Sequence, residues 1–252
     1  MKKVLRITIW MVLIASFFTL LSFSTLSFNE RICNTLIFEI EKGEEYPLIN
    51  ESTLDYTLSQ NEFRIEGQKI TDIPVDQIEN KIKAISQVKE AKVFSDIAGQ
   101  LHISVIQKEP VARIFNSNGE SYYIDLEGSP IDLSALHAAR LVSITSANSL
   151  DFRSNEESKI ELKDDLLSLL RFIEENPMWK HQIVQIHIDT KQEIELTPRI
   201  GNHKILVGNA SDLRTKFEKL RAFYANCDKG NYWNAFSTVN LKYKDQIVCT
   251  KK

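Results

Sequence analysis

The chain has 252 residues, enough for one large or two small domains. Its hydrophobic share of 43% and charged share of 26% are those of a globular protein and exclude a largely disordered chain. The formal net charge is −3, which argues against nucleic acid as a partner because phosphate binding requires a basic surface.

The first 28 residues carry the strongest local signal. No charged residue occurs from Ile7 to Phe28, and this run of 22 residues is long enough, at about 1.5 Å per residue in a helix, to cross a hydrocarbon core of about 30 Å. Three basic residues precede the run. By the positive-inside rule they predict a cytoplasmic tail at 1–6, a single transmembrane helix at 7–28 and the bulk of the chain outside the cytoplasm. A cleaved signal peptide is the competing interpretation, but its hydrophobic region would be shorter.

Residues 32–108 have the pattern of a small β-α-α-β-β domain. Apolar residues alternate from Thr35 to Glu41, as in a half-buried strand, and Asn50 is a suitable N-cap for a helix from Glu51 to Gln60. A second helix begins at Pro74, and its apolar stripe consists of Val75, Ile78, Ile82 and Ile85. The two further predicted strands are Val88–Phe94 and Leu101–Gln107.

Residues 109–252 predict a second, mixed β domain with two helices. Pro110 removes a backbone donor and ends the preceding strand, so the chain leaves the first domain there. The predicted strands are Val111–Phe115, Ser121–Leu126, a segment around Val142, Ile183–Asp189, Glu193–Thr197, His203–Val207 and a terminal strand at Val239–Thr250 with a break at residues 244–246. The predicted helices are Lys159–Asn176, which Pro177 stops, and Asp212–Tyr224, which a loop at Asn226–Asn234 follows. The fold class is therefore α+β, with a transmembrane helix before two small mixed domains.

Three cysteines, Cys33, Cys227 and Cys249, leave at least one thiol unpaired within the chain. Cys227 and Cys249 are either bridged, as an oxidising compartment permits, or two half-buried thiols. The sequence leaves both possibilities open.

The sequence contains no recognisable catalytic motif. Its five histidines lack the spacing of a zinc site, and its eight glycines form neither a nucleophile elbow nor a phosphate-binding loop. We therefore expect a binding protein rather than an enzyme, with no catalytic residue, cofactor, metal or small-molecule substrate.

Short motifs at the predicted domain junction resemble a known family. The residues from Glu109 to Arg113, followed by Tyr122 to Asp125 and by Gly128, are similar to the junction of FtsQ/DivIB cell-division proteins. In that family an E-P-x-A motif ends a POTRA domain, and a (Y/L)-x-x-D-x-x-G motif opens a β domain. The form found here resembles the Bacteroidetes-type branch.

Two segments nearer the C-terminus extend the resemblance. The stretch from Ile205 to Gly208, with a helix behind it, looks like the family's glycine-to-helix segment; the matching helix residues are Leu213, Lys216, Leu220 and Tyr224. The stretch from Val239 to Tyr243 looks like the family's V-D-L-R-Y motif, with Asn240 in place of Asp and Lys242 in place of Arg.

The resemblance implies a POTRA domain at 32–108, a β domain at 109–252 and a single-pass type II protein of the inner membrane whose body lies in the periplasm. It implies a bitopic scaffold of the bacterial divisome, which links FtsB/DivIC-like and FtsL-like division proteins during septum formation. In the family a partner segment adds to the edge of the last β-domain strand. The corresponding partner-binding residues here are Val239, Leu241, Lys242, Tyr243, Asp245 and Ile247. Whether Tyr243 contacts a partner or packs on the core is left open.

Two other classes of function are the alternatives. A POTRA-type module of outer-membrane protein assembly or secretion would need a barrel or further POTRA repeats. A membrane-anchored periplasmic hydrolase would need a convergent nucleophile and base or a metal set, which the sequence does not contain.

Overall fold

The computed structural model describes residues 8–19, 31–41, 46–61, 63–148, 150–154, 160–230 and 232–252. Residues 8–19 form helix α1. The predicted transmembrane helix at 7–28 lies partly outside the described residues, and the predicted tail at 1–6 lies wholly outside them. Among the described residues, no helix is both long and apolar enough to cross a membrane.

The chain divides into two compact units. The N-terminal unit comprises Met1–Lys42 and Ile49–Gln107, and the C-terminal unit comprises Gly43–Leu48 and Lys108–Lys252. A short segment that precedes the second helix thus belongs to the C-terminal unit.

The N-terminal unit has the predicted β-α-α-β-β order. Its elements are β1 (Thr35–Glu41), α2 (Glu51–Gln60), a 3₁₀ turn (Ile70–Asp72), α3 (Val75–Lys83), β2 (Val88–Ser95) and β3 (Gln100–Gln107). The strand order is β1-β3-β2, with β1 parallel and β2 antiparallel to the central β3.

Local sequence explains both helices of this unit. The Asn50 side chain accepts a hydrogen bond from the backbone N–H of Thr53 at 2.9 Å, which confirms Asn50 as the N-cap of α2. Pro74 is the N-cap of α3, and the predicted apolar stripe faces the core, with Ile78 and Ile82 fully buried. The stripe therefore packs on the sheet core rather than forming a partner surface.

The C-terminal unit contains one mixed sheet and three helices among its described residues. The strands are β4 (Ala112–Phe115), β5 (Ser121–Ile124), β6 (Pro130–Ile131), β7 (Val142–Ser146), β8 (Ile183–Ile188), β9 (Ile194–Pro198), β10 (Lys204–Gly208), β11 (Phe236–Asn240) and β12 (Val248–Lys251). The helices are α4 (Ile160–Glu174), α5 (Pro177–Gln182) and α6 (Leu213–Gly230). The sheet order is β12-β11-β10-β9-β8-β7-β4-β5-β6.

Aromatic side chains join the helices of this unit. The Phe172 ring of α4 lies 4.8 Å from the Phe217 ring of α6, and Trp179 of α5 lies 5.0 Å from Phe217. The buried His203 ring approaches Tyr224, with 3.1 Å between His203 Nε2 and the Tyr224 hydroxyl. These contacts fix α6 and the end of the sheet that carries β10.

Three predictions in this unit are wrong. The first concerns the number of helices: Pro177 stops α4 as predicted, but it also begins a third helix, α5, because proline fits the first turn of a helix. The loop predicted at Asn226–Asn234 is helical up to Gly230, since buried Cys227 continues the apolar stripe one turn beyond Tyr224. The single terminal strand is in fact two strands, β11 and β12, joined by a loop.

The thiols of Cys33, Cys227 and Cys249 are free. Of the two possibilities left open by the sequence, the structure contains the unbridged one, with Cys227 buried and Cys249 partly buried.

Candidate functional site

The candidate site lies where the C-terminal unit's sheet ends at β12. Strand β11 runs parallel to β10 and antiparallel to β12, so β12 is the outermost strand of the sheet at this end. The terminal strand predicted at Val239–Thr250 therefore reaches the free edge only in its second half, because β12 covers β11. The exposed edge moves to Val248–Lys251.

The orientation of the β12 backbone follows from one hydrogen bond. The Lys252 N–H donates to the Ala235 carbonyl at 3.2 Å, toward β11. Peptide groups alternate along a strand, so the Val248 and Thr250 amides also face β11. The peptide groups of Cys249 and Lys251 consequently face away from the sheet, where an added strand could pair with them.

A loop at residues 241–247 joins β11 to β12. Its first residue is fixed to the sheet, since the Leu241 N–H donates to the Leu206 carbonyl at 2.9 Å and the Leu241 side chain is fully buried. Lys219 of α6 holds the rest of the loop: its Nζ donates to the carbonyls of Leu241 at 3.4 Å, Tyr243 at 2.5 Å and Lys244 at 3.2 Å. One ammonium group thus fixes three carbonyls of this loop.

Lys242 connects the loop to the β8–β9 turn. Its Nζ lies 3.0 and 2.9 Å from the two carboxylate oxygens of Glu193, and this contact raises the pKa of Lys242. Gly208, at φ +80°, makes room for the lysine stem, because a Cβ there would lie 2.9 Å from Lys242 Cδ. A side chain at position 208 would displace Lys242.

A cavity of about 700 Å³ separates this loop from the start of α6 and from the β8–β9 turn. Lys216 lies at its inner wall and is only 8% exposed, with Nζ donating to the Asn209 carbonyl at 2.9 Å and to Asn209 Oδ1 at 3.0 Å. Burial lowers the pKa of Lys216. Five lysines line the cavity, at positions 191, 216, 219, 242 and 244, against two acidic residues, Glu193 and Asp212. Lys242 is paired with Glu193, and the remaining excess of lysines suits an acidic group.

The predicted partner-binding residues separate into two groups. The side chains of Val239 and Leu241 are fully buried and belong to the core, so neither is available at the surface; this corrects their assignment as contact residues. The side chains of Lys242, Tyr243 and Asp245 are exposed on the loop, and Ile247 is half-buried against the core. Tyr243 is 49% exposed, so its side chain is accessible to a partner, and its role as a contact residue stays a prediction.

Sequence reasoning did not identify Glu193 or Lys219 as part of this site. Lys216 and Lys219 lie three residues apart on α6 and so share a helix face, which was the available signal. Their partners lie on other elements and could not be found from sequence spacing.

A second polar cluster lies in the N-terminal unit. His102 of β3 lies between two carboxylates, with Nδ1 3.1 Å from Glu39 Oε1 and Nε2 3.3 Å from Asp96 Oδ2, and its ring stacks on Phe94 at 5.1 Å. Hydrogen bonding to Glu39 and then to Asp96 raises the pKa of His102. Within the described part of the chain, no group of three or more His, Cys, Asp or Glu side chains is arranged to hold a metal ion.

Comparison with known proteins gives two family matches. The family described as "FtsQ/DivIB, C-terminal related" matches residues 109–250, and a POTRA-like domain matches residues 31–106. No curated protein matches the chain.

Proposed function

The chain belongs to the FtsQ/DivIB family, and from this premise we propose that it acts in bacterial cell division as a scaffold that binds other division proteins in the cell envelope. The family resemblance makes FtsB/DivIC-like and FtsL-like proteins the expected partners. The proposed scaffold has no catalytic role.

The observation that carries this proposal is the free edge of β12. The outward peptide groups of Cys249 and Lys251 supply two donors and two acceptors in the spacing of a β-strand, which an extended partner segment can pair with. Val248 is 41% exposed on this strand, and Tyr243 is 49% exposed on the loop that leads into it, so both offer apolar surface to a partner. Such an edge favours addition of a strand, since backbone pairing supplies affinity and neighbouring side chains supply specificity.

The charge of the C-terminal region indicates which side chains the partner segment carries. Residues 191–252 contain twelve basic and six acidic residues, although the chain as a whole is acidic. The lysine-lined cavity lies beside the loop that leads into β12. We infer that the partner segment carries acidic side chains next to its pairing strand, because opposite charge speeds association and aligns the two chains.

The proposed location is the inner membrane, with a cytoplasmic N-terminus and the two units in the periplasm. The uncharged run from Ile7 to Phe28 and the three basic residues before it support this topology.

The membrane anchor is expected to stay attached to the mature protein. Extraction at high pH should leave the full chain in the membrane fraction, whereas a mature N-terminus near residue 25 would contradict an uncleaved anchor.

Site-specific photo-crosslinking in the native bacterium tests the partner site. A photoreactive residue in place of Val248 should capture a DivIC- or FtsB-type protein. The matched control is the same replacement at Tyr56, which is exposed on α2 of the N-terminal unit. Equal capture from both positions, or capture of no division protein from position 248, would contradict the proposed edge.

Depletion of the chain tests the cellular role. Cells should elongate without septa and recover division when the wild-type chain is restored. Normal cell length after depletion would contradict a required role in division.

A further inference from the structure

A second cavity, of about 450 Å³, lies in the C-terminal unit away from the β12 edge. It is formed by the segment before Leu48, the loop between β6 and β7, the end of α5 and the end of β9. Its polar and aromatic lining consists of Tyr46, His137, Arg140, Lys180, His181 and Arg199. None of the described residues that line it is acidic.

The walls of this cavity are held in place by the core beneath it. Leu48 is buried with Tyr123, Ile131 and Ala139, and the Ser134 hydroxyl donates to the Leu48 carbonyl at 2.6 Å. The Tyr46 ring packs at 5.8 Å from the ring of His137. The segment that carries Tyr46 is therefore anchored next to the β6–β7 loop.

Arg199 is fixed at the C-terminal end of α5. Its Nε donates to the His181 carbonyl at 2.8 Å, and its backbone N–H donates to the Gln182 carbonyl at 2.6 Å. These bonds satisfy carbonyls at the helix end and leave the two terminal nitrogens of the guanidinium for another acceptor. Among the described residues, no carboxylate pairs with Arg199 or with Arg140.

We propose that this cavity binds a phosphate-bearing ligand. The guanidinium groups of Arg140 and Arg199, which pair with no carboxylate of the described residues, line one space together with two imidazoles. Lys180 also lines it, but its ammonium is already paired with Glu174 at 2.8 Å. An anion bound here would therefore offset the repulsion between the two guanidinium groups. A guanidinium matches the oxygens of a phosphate through two parallel hydrogen bonds. The cavity is larger than one phosphate group, and the Tyr46 and His137 rings offer a surface for the organic part of a phosphate ester.

Two sources supply this chemistry: the headgroup of an anionic phospholipid and a soluble phosphate ester. The full chain, reconstituted in phosphatidylcholine nanodiscs, should bind inorganic pyrophosphate in calorimetric titration. If headgroups are the natural ligand, replacing part of the phosphatidylcholine with phosphatidylglycerol should weaken pyrophosphate binding by competition. Unchanged affinity assigns the cavity to a soluble phosphate ester.

The double variant Arg140→Gln/Arg199→Gln should weaken pyrophosphate binding roughly tenfold or more, because it removes the charge-assisted bonds. The matched control is Arg214→Gln/Arg221→Gln, which removes the same charge from two exposed positions on α6 and should bind as the wild type does. Since Arg199 also binds the end of α5, Arg140→Gln alone is the second test, because the Arg140 side chain makes no hydrogen bond or ion pair with the described residues. A loss of binding in this single variant with an unchanged thermal midpoint supports the site.

Three results would overturn the proposal. The first is absence of pyrophosphate binding by the wild type. The second is equal loss in both double variants, which would reflect general charge. The third is equally tight binding of succinate, which would show that the cavity does not select phosphate over carboxylate.

Discussion

Lys219 should control the order of the β11–β12 loop. Replacing it with methionine keeps a side chain of similar length and apolar packing but removes the ammonium group. The carbonyls of Leu241, Tyr243 and Lys244 then lose their common donor. The loop carries Lys242 and Tyr243, so Lys219→Met tests whether the surface beside β12 is held in one conformation before a partner binds.

The expected magnitude follows from the geometry. A hydrogen bond to a charged group contributes roughly 1.5 to 3 kcal/mol when buried. Lys219 is partly exposed, and only the Tyr243 and Lys244 contacts are short, so we expect a loss of about 1 kcal/mol in the free energy of local opening. At room temperature this corresponds to a roughly fivefold faster amide exchange.

Hydrogen exchange followed by mass spectrometry measures this loss in the full chain. Exchange in Lys219→Met should rise in peptides that cover residues 241–247 and stay unchanged in peptides from β4 and β5. The control is Lys204→Met, which breaks an exposed ion pair with Glu195 at 2.9 Å and should change exchange little. Equal exchange in both variants, or a uniform rise across the sheet, would refute the assignment of Lys219 as the residue that orders the loop.

Three further predictions concern stability, measured as the unfolding of the full chain in detergent. Ile82→Asp should destabilise the N-terminal unit by about 3 to 5 kcal/mol, because it buries an unpaired charge at a fully buried position. Burial lowers the pKa of His203 in the folded state. The contribution of neutral His203 to the free energy of unfolding is therefore complete above about pH 6.5 and is lost on acidification. The difference in unfolding free energy between the wild type and His203→Gln should shrink as the pH falls. Glu39 and Asp96 raise the pKa of His102 in the folded state. The contribution of protonated His102 to the free energy of unfolding is therefore complete below about pH 6.5 and is lost as the pH rises through the folded-state pKa. The difference in unfolding free energy between the wild type and His102→Gln should shrink toward alkaline pH.

Each of these predictions has a clear opposite result. An Ile82→Asp chain that unfolds at the wild-type temperature would place Ile82 outside the core. A pH curve of His203→Gln that runs parallel to that of the wild type would mean that burial of His203 does not affect its protonation. For His102→Gln, an advantage of the wild type that grows at alkaline pH would contradict the effect of the two carboxylates.

The N-terminal unit was largely predictable because its signals are local. The strand at Thr35–Glu41 and the helix at Glu51–Gln60 have the predicted limits, since alternation and the Asn50 cap define them within a few residues. The membrane segment at 7–28 remains a prediction.

The C-terminal edge was less predictable because its shape depends on contacts between distant residues. The break at residues 244–246 is visible in the sequence, but the pairing of Val239 with Cys249 turns the chain back and makes two strands. Lys219 reaches carbonyls more than twenty positions along the chain, and Glu193 reaches Lys242 across 49 positions. No periodicity within one segment encodes such contacts.

The measurement that tests the account most directly is the affinity of a DivIC-type partner for the full chain with a changed β12 backbone. Lys251→Pro removes one outward amide donor and retains the inner ladder, since proline is tolerated on edge strands. Lys251→Ala removes the same side-chain charge but retains the amide. We predict that the proline variant binds about tenfold more weakly than the alanine variant, with equal thermal midpoints. Equal partner affinity of the two variants would contradict strand addition at β12.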